Sequence, residues 1–272
     1  MPIVTPDSAV AQRPRSYVAV SGPDAEEYLQ RMVSNDVAAL PLGGSCEALL
    51  LTPKARVIAP LVVLRRGHED FLLLTELQLG SVVQAHLARM RFRARVEIER
   101  EEHTSLIVFG GDDDGIVTQD YGAPAVEVLD AQIPARARLL EEDELEALRI
   151  AAGTPRFGRE IDDRVLPAEA GLVERAVSFT KGCYPGQEPV ARLHYRGHVN
   201  RALRVLAVEG DDLPGHDEEL VHDGKAVGRV TSAVRTEDGI VALGFVRTEV
   251  PEDAELQIGT ATARLHWSTA RP

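Results

Sequence analysis

The chain has 272 residues and a formal net charge of −13 at pH 7, with 43 acidic side chains against 30 lysines and arginines. This negative charge disfavours a general nucleic-acid surface, because such a surface needs a basic field to release phosphate counterions. Hydrophobic residues make up 44% of the chain and charged residues 27%, as in an ordinary globular protein. We expect two or three subdomains, since the length exceeds what one core usually organises.

The sequence lacks the usual signals of several common protein classes. Residues 1–15 have no apolar core, which disfavours a signal peptide. The longest apolar run, residues 57–64, is interrupted by Pro60 and is too short to span a membrane. Two cysteines, Cys46 and Cys183, do not make a disulfide framework. The sequence therefore predicts a cytoplasmic protein with no membrane partner, and it lacks the local motifs of common metal, nucleotide and dinucleotide sites.

Short helices and strands alternate through the first 150 residues. Apolar residues at helical spacing predict helices over residues 23–33, 79–90 and 141–150. Segments rich in Val, Leu and Ile and bounded by turn residues predict strands over residues 16–20, 47–51, 56–64, 71–74, 96–99, 105–109 and 124–129. Because no long parallel run appears, the pattern favours an α+β fold over a doubly wound sheet.

The pattern changes near residue 202, where helical spacing ends. Strands are predicted over residues 203–208, 226–234, 240–247 and 263–267, separated by Asp, Gly and Pro turns. This arrangement is typical of a small antiparallel β-barrel. We therefore divide the chain into an α+β body over residues 1–200, with two intertwined subdomains, and a C-terminal barrel over residues 201–272.

The segment 178–192 carries the most informative local chemistry. It contains Cys183, with Lys181 two residues before it and Pro185 at the expected start of a helix running to Leu193. A nearby ammonium and a helix N-terminus both stabilise a thiolate over a thiol. One interpretation is a metal-ligating or redox-active thiol; the alternative is an inert, buried cysteine in a tight turn.

The run Lys181-Gly182-Cys183-Tyr184-Pro185-Gly186-Gln187-Glu188 resembles the Lys-Gly-Cys-Tyr-x-Gly-Gln-Glu signature of the YgfZ-type folate-binding proteins, relatives of the glycine-cleavage T-protein, an aminomethyltransferase. Residues 22–37, 148–155 and 167–172 also resemble phrases of this family, as do two segments of the predicted barrel. The resemblance implies a T-protein-like body of mixed α/β subdomains around a central folate-sized cavity, followed by the antiparallel barrel.

The resemblance also implies a function. The protein would bind tetrahydrofolate or a derivative and assist the maturation or repair of iron–sulfur enzymes, including those that modify tRNA. Its partners would be the folate and iron–sulfur assembly or client proteins, without direct contact to nucleic acid. Cys183 would be the reactive thiol, or would transiently contact an iron–sulfur cluster, and Lys181 would tune its charge. The residues expected to bind the folate are Asn35, Asp36, Arg149, Gly182, Tyr184, Gly186, Gln187, Glu188 and Arg192.

Some of these residues have a simpler interpretation. Asn35 and Asp36 suit the end of a helix and the turn after it. Arg149 suits a surface position that matches a helix dipole. His194 and His198 have the spacing of a helical metal pair, but Gly197 lies between them, which disfavours a metal site.

The sequence departs from T-protein where that relative holds an acidic pair. The corresponding residues here are Val57-Ile58-Ala59-Pro60, and Ala151 stands where T-protein relatives commonly have Glu. These departures disfavour aminomethyl transfer, so an accessory role is favoured over catalysis. Two alternatives stay open: a tetrahydrofolate-dependent one-carbon transferase or demethylase, and a scaffold in which Cys183 is structural.

Overall fold

The computed structural model describes residues 9–110, 115–133 and 137–266. The first subdomain of the body is a five-stranded sheet in the order β3-β4-β5-β2-β6. Two helices pack on it, α1 and α2. The bounds are β2 Arg15–Ser21, α1 Ala25–Met32, β3 Ser45–Leu51, β4 Val57–Arg65, β5 Asp70–Glu76, α2 Gly80–Met90 and β6 Glu97–Glu101. The structure thus confirms the strands and helices predicted in this region.

The core of this subdomain lies between the sheet and its helices. Leu29 of α1 and Phe71 of β5 are fully buried, and each contributes about 1.5–3 kcal/mol by leaving water. The hydroxyl of Tyr28 donates a 2.6 Å hydrogen bond to the Leu87 carbonyl and so fastens α1 to α2. The C-terminal end of α1 is therefore a fixed point, and the candidate site is built on it.

The second sheet of the body has the order β10-β1-β7-β9-β8 and is followed by helix α3. The bounds are β1 Ala9–Gln12, β7 Ser105–Phe109, β8 Ile116–Thr118, β9 Ala125–Leu129, β10 Arg138–Leu139 and α3 Glu142–Ala151. The sequence predicted β7, β9 and α3. It missed β1, β8 and β10, because two to four residues are too few to show an alternating pattern.

The C-terminal strands form a closed barrel in the order β11-β14-β13-β12-β15-β16, which confirms the predicted architecture. Their bounds are β11 Arg201–Glu209, β12 Glu219–His222, β13 Lys225–Thr236, β14 Gly239–Arg247, β15 Glu255–Ile258 and β16 Ala261–His266. The short strands β12 and β15 were not predicted. Helix α3 packs against β13 and β14 and joins the body to the barrel. The predicted strand end at Trp267 lies outside the described residues.

Two further helices connect the body to the barrel, α4 (Val173–Ala176) and α5 (Gln187–Arg196). Helix α5 begins at Gln187, two residues after the predicted first position at Pro185, and ends at Arg196, three residues beyond the predicted end at Leu193. His194 lies on α5, but His198 lies beyond its end at Gly197, so the two are not on one helix. Within the described ranges, none of the helices is long and apolar enough to cross a membrane.

Candidate functional site

Lys181 ties the cysteine-bearing loop to the end of helix α1. Its side chain is 8% exposed, and its Nζ donates hydrogen bonds to the carbonyls of Gln30, Val33 and Asn35 at 2.5, 2.6 and 3.0 Å. These carbonyls lie at the C-terminal end of α1, where a helix leaves its last acceptors without intrahelical donors. An ammonium is well suited to this position because it carries three donors and complements the negative end of the helix dipole.

Burial has the largest effect on the pKa of Lys181. Burial lowers the pKa of Lys181 to about 8, opposed by the nearby carboxylate of Asp36 and thiol of Cys46. Burial also raises the pKa of Cys46 to about 12. The hydrogen bonds of this ammonium go to the end of α1, and the titratable groups that affect its pKa are Asp36 and Cys46. These interactions of Lys181 are therefore with residues other than Cys183.

Tyr184 is the second anchor of the loop. It is 7% exposed, and its ring packs in a cluster with Leu49, Val173 and Val190. Burial raises the pKa of its hydroxyl to about 12, and that hydroxyl has no hydrogen-bond partner among the described residues. The Nζ of Lys181 lies 5.3 Å from the ring centroid, so the two anchors also contact each other.

Cys183 and Gly182 lie between these two buried anchors and are both exposed. The thiol is therefore presented to solvent on a loop whose two sides are fixed. Gly186 closes the loop at φ +84°, and a Cβ on it would lie 2.6 Å from the carbonyl oxygen of Thr52. Only glycine accommodates both this backbone conformation and this close approach.

Asn35 and Asp36 lie beside Lys181 and make structural hydrogen bonds. The Nδ2 of Asn35 donates to the carbonyls of Glu47 at 2.7 Å and of Arg175 at 3.4 Å. The carboxylate of Asp36 accepts a hydrogen bond of 2.9 Å from the Gln30 amide. These contacts join the end of α1 to β3 and α4. The remaining predicted residues, Gln187, Glu188 and Arg192, lie on α5, where Gln187 is half-buried and the other two are exposed.

A central cavity of about 700 Å³ lies elsewhere in the body, between the ends of the two sheets and helix α3. Arg149 lines this cavity; the other predicted folate-binding residues are outside its lining in the part of the chain that is described. Arg149 is only 6% exposed, so its interpretation as a surface arginine is wrong. It pairs with Glu146 at 2.7 Å and Glu160 at 3.1 Å, and it also donates to the hydroxyl of Ser232 on the barrel.

A series of ion pairs begins at the lining of this cavity, which includes Arg13 and Asp120. Arg13 pairs with Asp120 at 2.8 Å, and Asp120 pairs in turn with Arg175, which also holds Glu47. Burial raises the pKa of Asp120, but the charges of Arg13 and Arg175 outweigh it and hold that pKa below its usual range. The series extends from the cavity to β3, next to Asn35, and so connects the cavity to the loop that carries Cys183.

Other groups at the cavity have unused hydrogen-bonding capacity. Within the described residues, the buried Nη1 of Arg13 and Oγ1 of Thr154 have no hydrogen-bond partner, and neither Glu76 nor Arg159 has an ion-pair partner. Phe157 adds an aromatic ring to the lining. Sequence reasoning missed these residues. Thr154 and Phe157 lie in or next to the matched phrase at 148–155, whereas nothing local in the sequence distinguishes Glu76.

Two family comparisons match the two parts of this fold. The GCVT N-terminal domain matches residues 14–119, and the glycine cleavage T-protein C-terminal barrel domain matches residues 201–271. The chain is 29% identical to the tRNA-modifying protein YgfZ of Edwardsiella ictaluri, over 89% of this chain and 85% of that protein. It is 27% identical to the mitochondrial iron-sulfur cluster assembly factor IBA57 of Mus musculus, over 94% of this chain and 82% of that protein.

The chain belongs to the YgfZ-type family. Its fold agrees with that placement, because the crystal structure of the glycine cleavage system aminomethyltransferase T from Bartonella henselae superposes with a TM-score of 0.82. That match covers 95% of this chain and 85% of the other at 21% identity. The predicted T-protein-like fold with a C-terminal barrel is therefore confirmed.

Part of strand β4 lies where the resemblance to T-protein predicts an acidic pair. Strand β4 carries Val57, Ile58, Ala59 and Pro60 at that place, and the carbonyl of Pro60 accepts a 2.8 Å hydrogen bond from the hydroxyl of Thr75 on β5. Ala59 is fully buried in the core. These four residues thus contribute packing and one backbone acceptor, and none of them has an ionisable side chain for general acid–base chemistry.

Proposed function

We propose that this chain binds a reduced folate, tetrahydrofolate or a derivative, in the central cavity. The observation that carries the proposal is a pair of buried polar groups on the lining that make no hydrogen bond within the described residues. They are Thr154 Oγ1 and Arg13 Nη1, the second of which has only an ion-pair contact of 3.5 Å to the Glu127 carboxylate. Buried polar groups without partners are rare in native proteins and are often completed by a ligand or by water. A volume of about 700 Å³ lies within the range of cofactor sites.

The chemistry of the lining fits a folate. The pterin ring offers carbonyl and ring-nitrogen acceptors for Arg13 Nη1 and Thr154 Oγ1, and its amino group offers a donor to the carboxylate of Glu76. Phe157 provides an aromatic face for a planar ring. Arg159 is exposed and is a cation for the glutamate tail. A bound folate supplies one-carbon chemistry, and these side chains bind and orient it.

We further propose an accessory role in the maturation or repair of iron–sulfur enzymes in the cytoplasm, including enzymes that modify tRNA. This role is supported by the relatives named YgfZ and IBA57. The exposed thiol of Cys183 is the group proposed to contact a cluster as cargo. One thiolate does not complete the ligand set of a cluster, which normally takes four cysteines, so a partner protein must supply the others.

Ligand binding to the native state raises stability, which gives a direct test of the folate proposal. At a 5-formyltetrahydrofolate concentration about 100 times the Kd, the gain is about 2.7 kcal/mol. The melting temperature should then rise by several degrees. Thr154→Val and Arg159→Ala should each reduce the shift, while Arg93→Ala, an exposed arginine outside the cavity lining, should retain it. No shift in the unaltered protein would refute the proposal.

The accessory role is tested separately by complementation. A bacterial strain that lacks its own YgfZ-type gene would be assayed for an iron–sulfur-dependent tRNA modification. The unaltered chain should restore the modification and Cys183→Ala should not, whereas Cys46→Ala should restore it. Equal rescue by all three would assign Cys183 a merely structural role. Release of ammonia from an aminomethylated carrier protein would instead support the one-carbon transferase, which the missing carboxylate on β4 disfavours.

A further inference from the structure

Helix α5 borders a second cavity, which is separate from the central one. It is an open groove of about 600 Å³, here called the α5 groove, whose sides include Lys54, Pro167, Pro189, Arg192, Leu193 and Arg196. It runs between α5, the β3–β4 turn and the segment that precedes α4. Arg192, which the sequence predicted to bind the folate, lies in this groove and not in the lining of the central cavity. The binding site proposed above for the folate does not use the groove.

The charge of the α5 groove is opposite to that of the protein. Its lining contains three cationic side chains, Lys54, Arg192 and Arg196, and no acidic residue. All three are exposed, and none lies within ion-pair distance of a carboxylate in residues 9–110, 115–133 and 137–266. In a chain with a net charge of −13, three unneutralised cations around one cavity form a local basic site.

Between these cations the groove is apolar. Leu166, Pro167 and Ala168 form one wall, and Pro189 and Leu193 of α5 form the other. Val190 is the single residue of α5 that is less than a tenth exposed, whereas Pro189 and Leu193 are only half-buried and line the groove. The prolines stiffen both walls, so the groove is preformed and little ordering entropy is lost on binding.

We propose that the α5 groove binds an acidic segment of a partner protein, one that places an apolar side chain between the prolines and carboxylates against the three cations. Nucleic acid fits less well, because the groove lining has no aromatic ring for base stacking and the net charge of the chain repels a long polyanion. A short peptide with a few carboxylates experiences mainly the local cations, because salt screens charges beyond about 10 Å.

The α5 groove would be a binding surface for a partner protein in the proposed accessory role. The biological meaning of this proposal therefore rests on that role. Helix α5 begins directly after the loop that presents Cys183, so a segment docked in the groove brings its parent protein near the exposed thiol. The binding itself does not depend on the central cavity. The peptide-binding proposal and the folate-binding proposal can therefore be refuted independently, and the experiments below measure both kinds of binding.

The chemistry of the occupant is tested by panning a library of random peptides against the whole chain. The charge-reversed variant Lys54→Glu/Arg196→Glu serves as the comparison, and Arg93→Glu/Lys225→Glu as the matched control, since these two exposed cations lie outside the groove. Peptides enriched on the unaltered chain and on the control should combine acidic residues with a Leu, Met or Phe, and should be lost on the charge-reversed variant. A pool that lacks acidic residues, or that survives charge reversal, would overturn the proposal.

Affinity is then measured by fluorescence anisotropy with labelled acetyl-EEDLFEE-amide. Charge reversal of Lys54 and Arg196 should weaken binding at least about tenfold, as should Leu193→Ser, and added salt should weaken it progressively. The 5-formyltetrahydrofolate thermal shift should be the same in all of these variants, which also checks their folding. Equal affinity for acetyl-EEDSSEE-amide, or tighter binding of an oligouridine that is lost on charge reversal, would reject an acidic peptide as the occupant.

Discussion

The ammonium of Lys181 donates a 2.6 Å hydrogen bond to the carbonyl of Val33, the residue that follows the last turn of helix α1. This bond joins residues 148 positions apart in the chain, and it makes the loop of Cys183 an extension of the first subdomain. Lys181 therefore anchors the loop to α1, a structural role that its position two residues before Cys183 does not indicate.

Replacing Lys181 with Met should destabilise the protein. The substitution keeps most of the apolar stem but leaves the carbonyls of Gln30, Val33 and Asn35 without their shared donor. Unsatisfied buried acceptors cost about 1–3 kcal/mol, so urea denaturation should show a loss of that size. Lys225→Met, at an exposed lysine on β13, is the matched control and should change stability by less than about 0.5 kcal/mol. Equal losses in both would contradict the anchoring role.

The sequence predicted most of the helices and strands that are long enough to show a periodic pattern of apolar residues. The nine-residue β4 alternates buried and half-buried positions along its whole length, and α1 places Ala25, Tyr28, Leu29 and Met32 on one buried face. Strand β10 has two residues and exists because it pairs with β1, a contact that no local pattern encodes. Strands of this kind are set by tertiary pairing and are invisible to local periodicity.

The site was harder to predict than the fold. The signature located the exposed cysteine and the glycine with positive φ, because both follow from local residue types. It could not show that Lys181 points to α1 or that Glu76 and Thr154 share a cavity, since these depend on how separate segments pack. Buried polar groups that make no hydrogen bond, such as Thr154 Oγ1, can be recognised only once burial is known.

Gly186→Ala should be the more damaging of two glycine substitutions in the signature. A Cβ at Gly186 would lie 2.6 Å from the Thr52 carbonyl in a backbone with φ +84°, whereas a Cβ at Gly182 would meet nothing within 4 Å. We expect a loss of about 1–3 kcal/mol in unfolding free energy for Gly186→Ala and little change for Gly182→Ala. Similar effects in the two variants would show that the close approach does not constrain the loop.

Cys183 should react with iodoacetamide well before Cys46. Cys183 is exposed, whereas Cys46 is half-buried and burial raises the pKa of its thiol to about 12. Since the thiolate is the reactive form, a pKa near 12 leaves about 1 in 10⁴ of the Cys46 thiols ionised at pH 8. Competitive labelling read by peptide mass spectrometry should show at least about tenfold faster modification of Cys183. Faster labelling of Cys46 would contradict the arrangement described here.

The same labelling separates two accounts of Cys183. If the charge of Lys181 activates the thiol, Lys181→Met should slow its labelling; if access alone sets the rate, labelling should be unchanged or faster. The contacts of Lys181 with α1 favour the second result. Lys225→Met again controls for the general loss of a positive charge.

His103 provides a pH-dependent link between the two sheets of the body. Its ring nitrogens lie 2.7 Å from Asp130, just after β9, and 2.8 Å from Glu101 on β6. Burial lowers the pKa of His103, but the hydrogen bonds to the two carboxylates outweigh it, so the pKa is raised above its ordinary value. The hydrogen bonds from Arg66 and His103 lower the pKa of Glu101 to about 2, so that carboxylate stays ionised throughout the range in which His103 titrates.

The sign of the resulting pH dependence follows from this raised pKa. A histidine that binds its proton more tightly in the folded state stabilises that state fully below its unfolded pKa of about 6.5. The contribution is lost as the pH rises through the folded-state pKa. The difference in unfolding free energy between the unaltered chain and His103→Gln should therefore be about 1 kcal/mol near pH 6 and should shrink towards pH 9. A difference that grew with pH would mean that neutral rather than protonated His103 is the stabilising form.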